Sequence, residues 1–230
     1  MNPHPSLATA AFLIADPARS VMLMHLLDGK ARPAGELAFA AGITAQTASS
    51  HLGKLLAGGL LAVETEGRHR YYRLAGPQVA LALETLAAIG PAAPVRSKPL
   101  SREARELRFA RCCYDHLAGH LGVAVTGALQ ARGYLVPAAG KRFDVPPAGA
   151  AWFAGLGLEV DRLRPGRHGL ARQCLDWTER EHQLAGPLGV QLMSLLCAKG
   201  WLRRSETTRA VQVTPTGWTG LKKELGLDPV

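Results

Sequence analysis

Two groups of side chains in this chain have the types and spacing to do chemistry. The first is Thr44, Gln46, Thr47, Ser49, Ser50, His51 and Lys54, followed by Arg68, His69 and Arg70. Hydroxyls and carboxamides at helical spacing can pair with base edges, and cations on a short loop can track phosphates or enter a minor groove. The second group is Cys112, Cys113, His116 and His120. If residues 112–120 are helical, Cys112, His116 and His120 fall at i, i+4 and i+8 with Cys113 one residue round, so borderline-to-soft metal ligands share a face. Cys174, His182 and Cys197 stand at or near matching places further on.

The elements that must position the first group are legible. Asp16-Pro17 reads as an N-cap followed by a proline at the first helical position, with Met22, Leu23, Leu26 and Leu27 on one apolar face and Gly29 as the stop. A short helix from Pro33 to Ala41 turns at Gly42 into a third helix capped by Thr44, in which Ala45, Ala48, Leu52 and Leu55 face inward. The outward face is made of small polar groups where a merely solvated helix more often carries Glu and Lys. Gly58-Gly59 closes it. Residues 60–74 then alternate as two strands around a Glu-Gly-Arg tip, and an Ala/Leu-rich helix from Gln78 to Ile89 has too much apolar surface for one face.

Asp16-Pro-Ala-Arg19, Glu36-Leu37, Gly42-Ile-Thr-Ala-Gln-Thr-Ala-Ser-Ser-His-Leu52, Leu55, Gly59-Leu60 and Gly67-Arg-His-Arg-Tyr-Tyr-Arg-Leu74 resemble the ArsR/SmtB repressors over about the first 90 residues. The resemblance implies a winged helix-turn-helix domain and a homodimer gripping a palindromic double-stranded DNA operator. It further implies release when an effector binds, and a subunit interface made by the first and last helices, Leu7 to Ile14 and Gln78 to Ile89. The helix at 33–41 carries no Cys, and that at 78–89 carries neither Asp nor His. Both metal sites known from such relatives are therefore absent, and any sensing falls to the rest of the chain.

Three prolines in residues 91–99 mark a linker. The expected organisation is a DNA-binding and dimerisation domain at 1–92, a linker at 93–103 and an effector-sensing domain at 104–230. The last contains a duplication: Leu117-Ala-Gly-His-Leu-Gly-Val123 matches Leu184-Ala-Gly-Pro-Leu-Gly-Val190 at six of seven positions, and Gly133-Tyr-Leu135 matches Gly200-Trp-Leu202 at the same offset. Val145-Pro-Pro-Ala-Gly149 likewise answers Val213-Thr-Pro-Thr-Gly217. The expected fold is mainly α with small β-hairpins, the C-terminal part being two helix-hairpin-helix repeats. Gly119, Gly122, Gly186 and Gly189 would allow close backbone approach.

The 230 residues carry a formal charge of +9, which suits a polyanionic partner. Residues 1–90 hold only seven Lys/Arg against six Asp/Glu, so the excess lies beyond them and charge alone does not locate a binding face. Four scattered Cys make no secreted disulfide framework, no apolar run is long enough to span a bilayer, and no leader pattern follows Met1. A cytoplasmic protein without a membrane partner is expected.

For Cys112, Cys113, His116 and His120 three readings stay open: core packing, a metal or thiol-redox sensor, and a neighbouring pocket for a small organic effector. The second copy has Gln183 where the first has His116 and Pro187 where it has His120, which argues against a symmetric two-metal site. Tyr114, Trp152, Trp177, Trp201 and Trp218 could line an aromatic pocket. Arg102, Arg105, Arg108 and Arg111 read as one side of a helix, either solvated or in contact with flanking phosphates. An enzyme using Cys113 and His116 is the competing class; no phosphate loop, Gly-x-Ser-x-Gly elbow or His-Glu metal motif accompanies it. No cofactor is expected to be needed for DNA binding.

Overall fold

The computed structural model describes residues 7–66, 69–89, 102–113 and 115–229. The chain divides into two compact units, Met1–Leu83 and Glu84–Val230. The linker expected at 93–103 lies almost wholly outside the described residues.

The first unit begins with α1 (Leu7–Ala15) and α2 (Pro17–His25). Asp16 caps α2 as its spacing requires: its carboxylate accepts from the Arg19 backbone N–H at 2.9 Å, and Pro17 sits in the first turn, where no donor is needed. A two-residue strand β1 (Arg32–Pro33) leads into α3 (Ala34–Ala41), which ends at Gly42 with φ 66° and ψ 33°. That left-handed conformation strains any residue with a Cβ, and it turns the chain within three residues into α4 (Ala45–Ala57). The strands β2 (Leu61–Glu66) and β3 (His69–Leu74) pair antiparallel from Leu61↔Leu74 to Glu66↔His69, and β1 adds to the other edge of β3. Met22, Leu23, Leu26, Leu37, Leu52 and Leu55 are almost fully buried and form the core from the apolar faces of three helices. At about 1.5–3 kcal/mol for each large side chain withdrawn from water, these six hold the helix-turn-helix together.

Helix α5 (Pro77–Ile89) starts in the first unit and ends in the second. The second unit continues with α6 (Arg102–Phe109), β4 (Arg111–Cys113), β5 (His116–Ala118), α7 (His120–Ala131), β6 (Val136–Ala138), β7 (Arg142–Asp144) and α8 (Pro147–Leu156). After a single 3-10 turn at Val160–Arg162 come β8 (Ala171–Leu175), β9 (His182–Ala185), α9 (Gly186–Ala198), β10 (Leu202–Arg204), β11 (Val211–Val213) and α10 (Pro215–Leu225). Strands β6-β7-β8-β9 make one antiparallel sheet, while β4-β5 and β10-β11 are separate pairs.

This unit holds more strand than the sequence suggested, and one assignment is corrected. Residues 111–113 and 116–118 pair as antiparallel strands, not as a continuation of the helix before them. The causes are distant in sequence: Arg111 is drawn into a buried ion pair with Asp176 at 2.7 Å, and the Cys112 N–H donates to the Arg209 carbonyl at 2.8 Å. Arg111 therefore leaves the face shared by Arg102, Arg105 and Arg108. Helix α7 packs on β9 as well as β5, and α9 on β5 as well as β8 and β9. A Cβ at Gly122 would stand 2.7 Å from the Leu117 carbonyl oxygen and one at Gly189 2.6 Å from that of Leu184, which explains the small residues at both places. Leu121, Leu129, Leu135, Phe153, Leu188, Met193 and Leu221 fill one continuous core. No single helix among the described residues is long and apolar enough to cross a membrane.

Candidate functional site

The exposed surface of α4 follows from its amphipathic period. Ala48, Leu52 and Leu55 are fully buried, so Gln46, Thr47, Ser49, Ser50 and Lys54 point to solvent. Thr44 caps the helix: its hydroxyl accepts from the Thr47 N–H at 3.2 Å and lies 2.9 Å from the Thr47 hydroxyl. The first turn thus presents short hydrogen-bonding groups above unsatisfied backbone donors, a combination suited to base edges or phosphate oxygens. Arg70 is exposed on β3. Arg68 lies outside the described residues, and His69 is placed only as the first residue of β3.

His51 differs from its neighbours. Its ring is half-buried, with Nδ1 3.3 Å from the Arg19 guanidinium and Nε2 4.0 Å from Asp16. Arg19, itself buried, also donates to the carbonyls of Leu13 at 2.6 Å and Phe12 at 2.8 Å. This network ties α1 and the start of α2 to α4. The Arg19 backbone N–H, opposed in part by burial and assisted by the guanidinium, lowers the Asp16 pKa below its usual range.

In the second unit the structure gathers a different set of thiols and imidazole than helical spacing suggested. Cys113 and His116 face each other across β4 and β5, and Cys174 faces Gln183 across β8 and β9. The donor atoms of Cys113, His116 and Cys174 lie within 4.8 Å of one another. Cys112 alternates to the other side of its strand and is half-buried, and His120 starts α7 on the surface, 3.3 Å from Glu179. Neither belongs to the cluster, because residues of a strand alternate in direction while those of a helix do not. Beside the cluster stands Glu84 of α5, which sequence reasoning did not single out: its Oε2 accepts from the Cys113 thiol at 3.1 Å and its Oε1 accepts from Arg209 at 2.7 Å. A lone Glu in an Ala/Leu-rich helix was the available signal.

The cluster is dry and charged. His116 is 1 % exposed; its Nδ1 lies 2.9 Å from Asp115, while Nε2 has no hydrogen-bond partner among the described residues. The hydrogen bond from Cys113 lowers the Cys174 pKa to about 4 against the opposing effect of burial, with His116 assisting. Cys113 is pushed up by that same bond, by burial and by the Glu84 carboxylate. Burial would lower His116, but Asp115 and the Cys174 sulfur outweigh it and raise the pKa. The arrangement favours the thiolate at Cys174 and the thiol at Cys113, with His116 and Glu84 beside them. Cys112, away from it, is raised by burial.

The aromatic side chains do not converge among the described residues. Trp152 stacks on Tyr134, Trp218 lies near Phe109, and Trp177 lies under the Arg111 guanidinium. Tyr114 is outside the described residues.

Three helices, a tight glycine turn and a β-hairpin arranged in this way define a winged helix-turn-helix regulator of transcription. Residues 14–64 match the family model described as "Helix-turn-helix domain". An uncharacterized HTH-type transcriptional regulator of Bacillus subtilis, YdfF, is 44% identical over 224 residues, 97% of this chain and 99% of that protein. The likeness runs through both units, and the chain belongs to this family of helix-turn-helix transcriptional regulators. The regulator CmtR of Mycobacterium tuberculosis is 41% identical over 81 residues, 35% of this chain and 68% of that protein. Among solved structures, the homodimeric DNA-binding domain of Mb0332 from Mycobacterium bovis, a possible ArsR-family regulator, is 28% identical, covers 39% of this chain and 89% of its own, and has a TM-score of 0.34. The cadmium sensor CmtR from M. tuberculosis is 35% identical, covers 42% and 99%, and has a TM-score of 0.33.

Proposed function

We propose that the chain is a cytoplasmic repressor that binds a palindromic operator as a homodimer, with α4 in the major groove. Gln46, Thr47, Ser49 and Ser50 read base edges, Thr44 and Lys54 hold phosphates, and the hairpin with Arg68, His69 and Arg70 lies along the neighbouring backbone or minor groove. His51 acts as a positioning residue, holding α4 to Arg19 and Asp16. The carrying observation is the exposure of five small or basic polar residues along one side of a helix whose other side is fully buried. The second unit receives the effector, and its helix-hairpin-helix segments are the two halves of a duplication.

The test is fluorescence anisotropy on duplexes from the region upstream of the protein's own gene, across a series of salt concentrations. Gln46→Ala is expected to erode discrimination between operator and unrelated duplex by about 1–3 kcal/mol, and Arg70→Ala to weaken both and flatten the salt slope by about one. A wild-type protein without salt-sensitive affinity for any duplex would refute the reading.

A further inference from the structure

We propose that Cys113, Cys174, His116 and Glu84 form a four-donor site for a borderline-to-soft divalent cation of the zinc class. The site is assembled from three places remote in sequence: the β4-β5 hairpin, β8 and the middle of α5.

Three donors already stand within 4.8 Å of one another, and Glu84 is 3.1 Å from one of them. Tetrahedral coordination at ordinary metal-ligand lengths places donors roughly 3.5–3.8 Å apart, so the three clustered donors need movements of about an ångström, while Glu84, already against Cys113, must also approach the other two. The histidine is prepared for the role. Its Nδ1 is held by the Asp115 carboxylate and its Nε2 is buried without a hydrogen bond, as in a ligand whose other nitrogen is oriented by an outer carboxylate. A histidine retained only for packing would leave that nitrogen's hydrogen-bonding capacity unused at a cost.

Charge is largely offset. Two thiolates and the carboxylates of Glu84 and the half-exposed Asp115 carry four negative charges, and the cation with Arg209, already on Glu84, offsets three of them. Coordination needs both sulfurs as thiolates and Nε2 without a proton, so any proton on those atoms leaves to solvent, and no electron moves. Register explains why Glu84 is needed. His116 and Gln183 hold matching places opposite Cys113 and Cys174, and a carboxamide oxygen is a poor ligand beside two sulfurs. The fourth donor therefore comes from another element. Because α5 begins in the first unit, drawing Glu84 onto a metal acts on a helix that both units share. That regulatory consequence rests on the DNA-binding reading; the coordination chemistry does not.

The experiment uses the full chain, reduced and purified without oxygen, titrated with Co2+ and then with Zn2+. One Co2+ per chain is expected, with intense thiolate charge-transfer absorption, tetrahedral ligand-field bands, and displacement by Zn2+. Cys113→Ser and Cys174→Ser should remove the charge-transfer band expected of the wild type, while Cys112→Ser and Cys197→Ser leave it intact. Asp115→Asn, half-exposed and outside the core, should weaken affinity by roughly 10–100-fold, and Glu84→Gln should change the ligand-field spectrum. Far-UV circular dichroism of each variant separates lost coordination from lost fold, and Zn2+ should raise the unfolding temperature of wild type alone among wild type and the two cluster Cys variants.

Absence of Co2+ uptake by the reduced chain overturns the proposal, as does a charge-transfer band surviving in folded Cys113→Ser and Cys174→Ser. A Cys113–Cys174 disulfide on oxidation in a chain that takes up no metal replaces it with a redox pair. Duplex affinity measured on the same preparations keeps the two readings apart. Metal uptake without DNA binding sinks only the regulator reading, and DNA binding without metal uptake sinks only the site.

Discussion

Arg111 and Asp176 are side chains of opposite charge, 2 % and 0 % exposed, joined at 2.7 Å. Asp176 also accepts from the backbone N–H groups of Gly119, Thr178 and Glu179 at 2.9–3.0 Å, so little of its desolvation goes uncompensated. Removing one partner strands the other charge in the interior. Asp176→Ala is expected to cost about 3–5 kcal/mol, measured by denaturant unfolding. Burial alone would raise the Asp176 pKa, but Arg111 and the Thr178 hydroxyl overcome it and lower the pKa. The stabilisation is therefore complete above the unfolded value of 3.8 and is lost as pH falls through the lower native one. Asp176→Asn should flatten the acid limb of the stability profile and leave its neutral-to-basic shape unchanged. At this scale the polar face of α4 was legible, because amphipathic period alone decides which side faces out. The burial of Arg111 and the contacts of His51 with Arg19 and Asp16 were not, since nothing local distinguishes a buried Arg or a network His from a solvated one.

Helix α4 shows how much an element owes to its own residues. Thr44 satisfies an end donor and Leu52 fills the core, both at positions its sequence period marks. Thr44→Ala should cost about 1 kcal/mol and Leu52→Ala about 2–5 kcal/mol, read from chemical denaturation of the full chain. The strand pair at 111–113 and 116–118 is the opposite case. Its three-residue strands are too short to display an alternation, and a run containing Cys, His, Leu and Ala fits a helix equally well. The contacts that decide it come from Asp176 and Arg209, far along the chain. Taking a strand for a helix placed Cys112 and His120 beside His116, left Cys174 as a counterpart further on and not as a neighbour of Cys113, and passed over Glu84.

For the molecule as a whole, apolar surface remains uncovered on the two helices expected to pair subunits. Leu7 is 82% and Phe12 69% exposed on α1, and Ile89 is 74% exposed on α5, with Leu86 also exposed. A subunit interface on these helices, as the resemblance to dimeric repressors implies, would cover that surface. Leu86→Glu combined with Ile89→Glu is expected to shift the chain from dimer to monomer in sedimentation velocity and to weaken operator binding while leaving the circular dichroism unchanged. A monomeric wild type at micromolar concentration would remove the dimer from the scheme.

The helix-turn-helix was readable in the residues themselves because caps, a glycine turn and apolar period act within a few positions of one another, and local physics suffices to set them. The internal match between residues 117–123 and 184–190 was visible for the same reason, as repetition is a property of the string. Which thiols meet, which imidazole nitrogen is left without a partner and which carboxylate joins them depend on strands and helices brought together across 29 to 125 residues. Such pairings are chosen by the collective burial of the core and by the expulsion of unpaired charge from it, and only the folded chain expresses that choice.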